Sequence, residues 1–260
     1  MKKLCLLSVV FLMSCFAMAQ DHSVFSKEIF IKNKDTLHYR MLLPENFSED
    51  KSYPVVLFLH GAGERGNDNE RQLTHGSELF LNAENRKAFP AIVIFPQCPK
   101  NDYWASAEID RTIKPIGITF PLENQPTTSM TLVMELMDEF SEKPFINTNQ
   151  MYVGGLSMGG MGTFEILYRQ PNRYAAAITI CGGGNPETAK FYANSTALWS
   201  FHGAKDDVVN PQLSLNMISA YLQAGGTPNF TLYADDNHNS WDSAFAEPEL
   251  LTWLFSKSKH

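Results

Sequence analysis

Gly155-Leu156-Ser157-Met158-Gly159, with Gly160 and Gly162 directly behind it, is the stretch on which the fold turns. Ahead of it runs Gln150-Met151-Tyr152-Val153, short, apolar and partly β-branched, which reads as a buried strand. Behind it, residues 163–169 have a helical pattern that stops before Pro171. A serine therefore stands at a strand-to-helix turn with a glycine two residues away on either side. A nucleophile that must stand clear of its own backbone is held in such a turn, where a Cβ at either flanking position would strike the adjoining strand or helix. The helix aims its N-terminus at the turn, and its unpaired N–H groups favour negative charge there. The Met158 amide is placed to be one donor of an oxyanion hole. A glycine-rich turn with an incidental serine would show the same five residues, so the rest of the chain must decide.

Outward from the turn, residues 55–59 and 91–95 are continuous apolar runs, the mark of strands covered on both faces. Residues 175–180, 197–201 and 230–233 read as further strands, and 129–140, 211–223 and 247–257 as helices. Strands and helices alternate from residue 53 onward, which gives an α/β fold with a mostly parallel central sheet and helices on both faces. Upstream, residues 28–31 and 36–42 alternate around Lys32-Asn33-Lys34-Asp35 as an N-terminal antiparallel hairpin with one face buried. Residues 67–88 are polar, a mixture of loop and short helix. From 100 to 127 the pattern dissolves, and a long irregular stretch in a compact domain is usually a functional loop over a site. With no repeat or linker, residues 20–260 are expected to form a single catalytic domain.

A serine hydroxyl needs a neighbouring base, and the base an orienting carboxylate. In open parallel sheets such groups gather beyond the carboxyl ends of the strands. One strand runs into His202-Gly203-Ala204-Lys205-Asp206-Asp207, and the next ends at Asp235-Asp236-Asn237-His238-Asn239-Ser240-Trp241. Asp206 is the candidate carboxylate, with a turn or cap aspartate as its plain alternative and Asp207 beside it. His238, the one histidine on its loop, is the candidate base, while Asp235 and Asp236 better suit capping or solvating that loop. The chain order Ser157, Asp206, His238 places each at the end of a successive strand. Trp104 and Trp241 are candidates for a substrate-binding aromatic wall, with core packing an equal alternative. His60 and His202 each precede a glycine at a strand end and are read as loop braces; His22, His38, His75 and His260 have no identifiable partner.

At 260 residues and 44% hydrophobic content the chain can bury a full core. A net charge of −7 without basic clusters excludes a nucleic-acid or polybasic membrane surface. No metal-ligand spacing and no phosphate loop is present, so neither metal nor cofactor is expected. Lys2-Lys3, an apolar run over residues 4–13 and Ala17-Met18-Ala19 read as a signal peptide covering residues 1–19, too short for a stable membrane span. Cys15 after Ser14 offers lipoprotein anchoring as the lesser alternative. The protein is expected to be exported, periplasmic or extracellular.

The segments His60-Gly61-Ala62-Gly63-Glu64-Arg65-Gly66, Gly155 to Gly160, His202 to Asp206 and His238-Asn239-Ser240-Trp241 together resemble a secreted bacterial α/β-hydrolase. More narrowly, they resemble compact carboxylesterases related to polyhydroxybutyrate depolymerases and to the catalytic domain of prolyl oligopeptidases, feruloyl and acetylxylan esterases among them. The resemblance runs from about residue 28 to the end and implies an α/β-hydrolase fold. It implies the backbone N–H of Ala62 as the second oxyanion donor, opposite Met158. It also implies a sheet order with two strands between those that end at Cys98 and Cys181. Three spacings of about 4.8 Å exceed the roughly 7 Å limit for a disulfide, so both are expected as free thiols. No lid helices fit between Cys181 and Ala197, which argues against an interfacial lipase.

The expected activity is serine carboxylic-ester hydrolysis on short acyl, feruloyl or acetyl esters, with a small ester or an esterified polysaccharide as partner. A peptidase of prolyl-oligopeptidase type acting on short peptides is the alternative. A catalytically silent binding protein is a third reading, which the intact set Ser157, Asp206 and His238 disfavours.

Overall fold

The computed structural model describes residues 21–259, so the expected signal segment and Cys15 lie outside the described residues. The strands are β1 (Ser26–Lys32), β2 (Asp35–Leu42), β3 (Tyr53–Leu59), β4 (Ile92–Gln97), β5 (Glu108–Asp110), β6 (Gly117–Thr119), β7 (Ile146–Leu156), β8 (Ala176–Ile180), β9 (Ala197–Gly203) and β10 (Asn229–Tyr233). The helices are α1 (Ser77–Leu81), α2 (Ala83–Ala88), α3 (Thr128–Ser141), α4 (Met158–Arg169), α5 (Gln212–Gln223), α6 (Trp241–Phe245) and α7 (Leu250–Phe255). Eight strands form one sheet in the order β1-β2-β4-β3-β7-β8-β9-β10. The hairpin β1–β2 joins it antiparallel through β2 and β4, and every pairing from β4 to β10 is parallel.

Period-two alternation decides which helices cover which face. Val55, Leu57 and Leu59 of β3 pack with Val133 and Leu136 of α3, Phe164 of α4 and Met217 of α5. Val56 and Phe58 point the other way, towards Phe80 of α1, Ala244 of α6 and Leu250 and Leu254 of α7. Both faces are thus covered, and this is an α/β-hydrolase fold. Cys98 and Cys181, beyond β4 and β8, are free and buried, with β3 and β7 between their strands. No helix of the described residues is long and apolar enough to cross a membrane.

The hairpin buries one face, as its alternation implies: Phe30, Leu37 and Leu42 point inward, while Ile29 and Ile31 are 57% and 66% exposed on the other side. On β2, Arg40 is buried because its guanidinium donates to the carbonyls of His22, Phe25 and Asn69. The irregular stretch after residue 100 contains a second small sheet, the β5–β6 hairpin. The last helix is also shorter than its apolar pattern suggested, with α6 as a separate turn just after His238.

Candidate active site

The loop between β7 and α4 is the sharp bend that its glycines anticipate. Ser157 has φ +53° and ψ −116°, a conformation costly for a residue with a side chain. Its N–H donates to Ile180 O at 2.8 Å, tying the bend to β8. A Cβ on Gly159 would lie 1.8 Å from Leu59 O, so α4 can start this close to β3 only with glycine there. A Cβ on Gly203 would lie 2.2 Å from Asn237 O, and its absence lets the His238 loop settle on the end of β9.

These close approaches bring the three candidate residues together. The Ser157 hydroxyl lies 3.0 Å from His238 Nε2, and His238 Nδ1 lies 2.8 Å from Asp206 Oδ2. The tautomer that satisfies both contacts carries its proton on Nδ1, donates to Asp206 and leaves Nε2 to accept from the serine. Asp206 Oδ1 accepts the N–H groups of Val208 and Val209, both at 2.9 Å. Burial pushes the Asp206 carboxyl up, but hydrogen bonds from His202 and His238, the His238 charge and the Val209 amide outweigh it and hold the group well below the carboxylate range. Asp207 is exposed, and Asp235 pairs with Lys205 at the surface.

His202 does more than brace a loop. Its Nε2 lies 3.1 Å from Asp206 Oδ2 and 3.1 Å from Val209 O, while Nδ1 lies 2.7 Å from Ser214 Oγ. Both partners of Nε2 are acceptors, so that nitrogen carries a proton. The sequence signal was the four-residue spacing to Asp206 across a glycine turn. His60 keeps its bracing role: its Nδ1 donates to Gly61 O at 2.6 Å and its Nε2 accepts from the Cys98 amide at 3.0 Å.

Ala62 and Met158 are each the first residue of a helical turn, Ala62 of the short 3-10 turn Ala62–Glu64 and Met158 of α4. N–H groups at such positions have no intrahelical acceptor. The Met158 side chain is buried in the core, so only its amide can serve the site. Ala62 lines the same cleft as Ser157.

That cleft has a volume of about 330 Å³ and is lined by Glu64, His75, Tyr103, Arg111, Ile116 and Val208, among others, besides Ser157, His238 and Trp241. Trp241 thus stands at the site, its ring 5.4 Å from that of His238. Trp104 does not: it is fully buried, packs edge-on to His60 at 5.2 Å and donates Nε1–H to His60 O at 3.0 Å. The wall formed by the irregular stretch comes instead from Tyr103, Arg111 and Ile116.

Cys181, Asp206 and His238 are the one group among the described residues whose ligand atoms could converge on a metal. The carboxylate and both imidazole nitrogens are already engaged in the contacts above, and burial pushes the Cys181 thiol up, keeping it protonated and a weak ligand. The arrangement suits proton transfer from a hydroxyl to an imidazole held by a carboxylate.

Comparison with known proteins gives the family and its relatives. The profile of the phospholipase/carboxylesterase family matches residues 46–248. A thermostable esterase of known structure superposes with a TM-score of 0.81 and 30% identity, covering 92% of this chain and 64% of its own. Over 129 residues the chain is 28% identical to a bifunctional acetylxylan esterase/xylanase of Neocallimastix patriciarum, covering 50% of this chain and 19% of that protein. Over 201 residues it is 22% identical to feruloyl esterase D of Neurospora crassa, covering 75% of this chain and 61% of that protein. The chain therefore spans less than two thirds of each of these relatives.

Proposed function

The chain belongs to the phospholipase/carboxylesterase family of α/β-hydrolases, and from that premise we propose that it hydrolyses carboxylic esters of carbohydrate through Ser157, His238 and Asp206. The observation that carries this reading is the unbroken run of contacts from the Ser157 hydroxyl through His238 to Asp206, at 3.0 and 2.8 Å. His238 Nε2 takes the serine proton as Ser157 Oγ attacks the ester carbonyl. The amides of Ala62 and Met158 receive the developing oxyanion, and each such donor is worth about 2.7–4 kcal/mol of barrier. His238 then returns the proton to the departing alcohol, leaving an acyl-serine. Water, deprotonated by the same nitrogen, releases the acid and restores the hydroxyl.

The carbohydrate part of the reading is supported by the acetylxylan and feruloyl esterases among the relatives. The N-terminal segment supports export, which brings such an enzyme to polysaccharide outside the cell, with residues 20–260 as one catalytic domain. The test is a panel of p-nitrophenyl acetate, methyl ferulate, acetylated xylan and dipeptide amides, run on the native chain and on Ser157→Ala. Ester turnover that falls by at least about a thousandfold in the variant is expected. Turnover confined to the amides, or ester turnover that survives the substitution, overturns the reading.

A further inference from the structure

Three side chains of the cleft take no part in the reaction above, and they form a train leading away from His238. The Trp241 ring is 5.4 Å from that of His238, the His75 ring 5.1 Å from that of Trp241, and His75 Nε2 3.8 Å from Glu64 Oε1. The Glu64 side chain is only 14% exposed, yet among the described residues no N–H or O–H donates to its carboxylate within hydrogen-bond range. The contact with His75 is too long to count as one. The carboxylate faces the same cavity as Ser157 with no donor from the described residues, so its oxygens are free to accept from a bound ligand.

The reaction itself says which part of the substrate that is. His238 returns its proton to the leaving oxygen, so the alcohol departs on the side where the imidazole stands. Trp241, His75 and Glu64 continue from that side, while Ile116, Val208 and Val209 add apolar lining that suits an acyl group. Taking the carbohydrate-ester reading above, we propose that Trp241, His75 and Glu64 form the subsite that selects the sugar as the leaving alcohol. An aromatic face covers the apolar side of a pyranose or furanose ring, the carboxylate accepts from its hydroxyls, and the imidazole donates or accepts as the next hydroxyl requires. Arg111 in the same lining opposes a cationic alcohol, which an aromatic ring and a carboxylate would otherwise also attract. The cavity, about 330 Å³, takes one sugar residue with its acyl group, so a polymer chain would lie across the mouth.

This inference rests on the ester-hydrolase reading, and the experiment separates the two. Substrate pairs share an acyl group and differ only in the alcohol: methyl ferulate against feruloylated arabinose, and ethyl acetate against an acetylated methyl xyloside. The readout is the ratio of kcat/KM, sugar ester over simple ester. The native chain is expected to favour the sugar ester at least tenfold, Glu64→Ala to lose that preference, and Glu64→Gln, which keeps a hydroxyl acceptor without the charge, to retain most of it. No sugar preference in the native chain, or a preference that survives Glu64→Ala, overturns the inference while leaving ester hydrolysis intact. If a choline ester is preferred over the sugar ester and Glu64→Gln loses as much as Glu64→Ala, the subsite belongs to a cation and the inference fails. Absence of turnover on every ester removes the underlying reading and this one with it.

Discussion

Asp206 accepts four hydrogen bonds, two on each oxygen, from Val208, Val209, His202 and His238. Three of these donors hold the carboxylate in place whatever His238 does, which fixes the oxygen that the imidazole must find. His202 is therefore a positioning residue in the proposed mechanism, acting through Asp206. A hydrogen bond to a charged group is worth about 1.5–3 kcal/mol, so His202→Ala should lower kcat by about ten- to a hundredfold with little change in KM. His202→Gln, whose amide can donate to the same oxygen, should recover much of the loss. Equal losses in both variants, or a change carried by KM, would make His202 a packing residue only. The sequence put Asp206 and His238 at the ends of two successive strands, but the role of His202 depends on which way a buried ring faces. Spacing does not encode that.

At the scale of elements, the bend between β7 and α4 is held by contact, not by flexibility. Gly159→Ala would set a methyl group against Leu59 O, and no rotamer change can relieve a clash with backbone. The substitution should cost at least about 3 kcal/mol, visible as a lower urea midpoint or loss of soluble protein. A variant with native stability would mean that α4 can move away from β3, and the shape of the bend would not be fixed. This element was legible because its cause is local, a serine between glycines at the junction of two periodicities. The tryptophans were not. Trp104 and Trp241 each lie near irregular sequence, yet Trp104 turns inward beneath the His60 loop, where Gly162 makes room for it, and Trp241 turns towards His238. Likewise the β1 alternation marks two faces without saying which one the sheet would cover, and the isoleucines lie on the open side.

For the molecule as a whole, buried ionisable groups set how stability responds to acid. Burial lowers the His60 pKa from 6.5 to about 4. Between these values the unfolded chain binds a proton that the folded chain refuses, so stability is fully present above pH 6.5 and is lost as the pH falls towards 4. Asp206, held below its ordinary 3.8, acts in the same direction at lower pH: its contribution is present above that value and disappears as the pH falls further. His60 alone accounts for about 3 kcal/mol across its window. Urea unfolding at pH 7 and pH 4.5 should show this as a clear drop, and His60→Asn should flatten the slope even though it lowers stability overall. An unchanged slope in the variant would assign the acid sensitivity to other groups.

The sequence by itself determined the order of strands and helices, the fold class and the bend at Ser157. Each follows from periodicity and steric demand within a few neighbouring residues. Strand ends also had to meet, because a parallel sheet aligns them, so the sequence places Asp206 and His238 near the bend. Only the tertiary structure decided what surrounds them: His202 beneath Asp206, Trp104 in the core, and Glu64, His75 and Trp241 in one cleft. Those neighbours come from segments remote in the chain, and their meeting depends on how side chains pack and where loops come to rest. No local pattern carries that information.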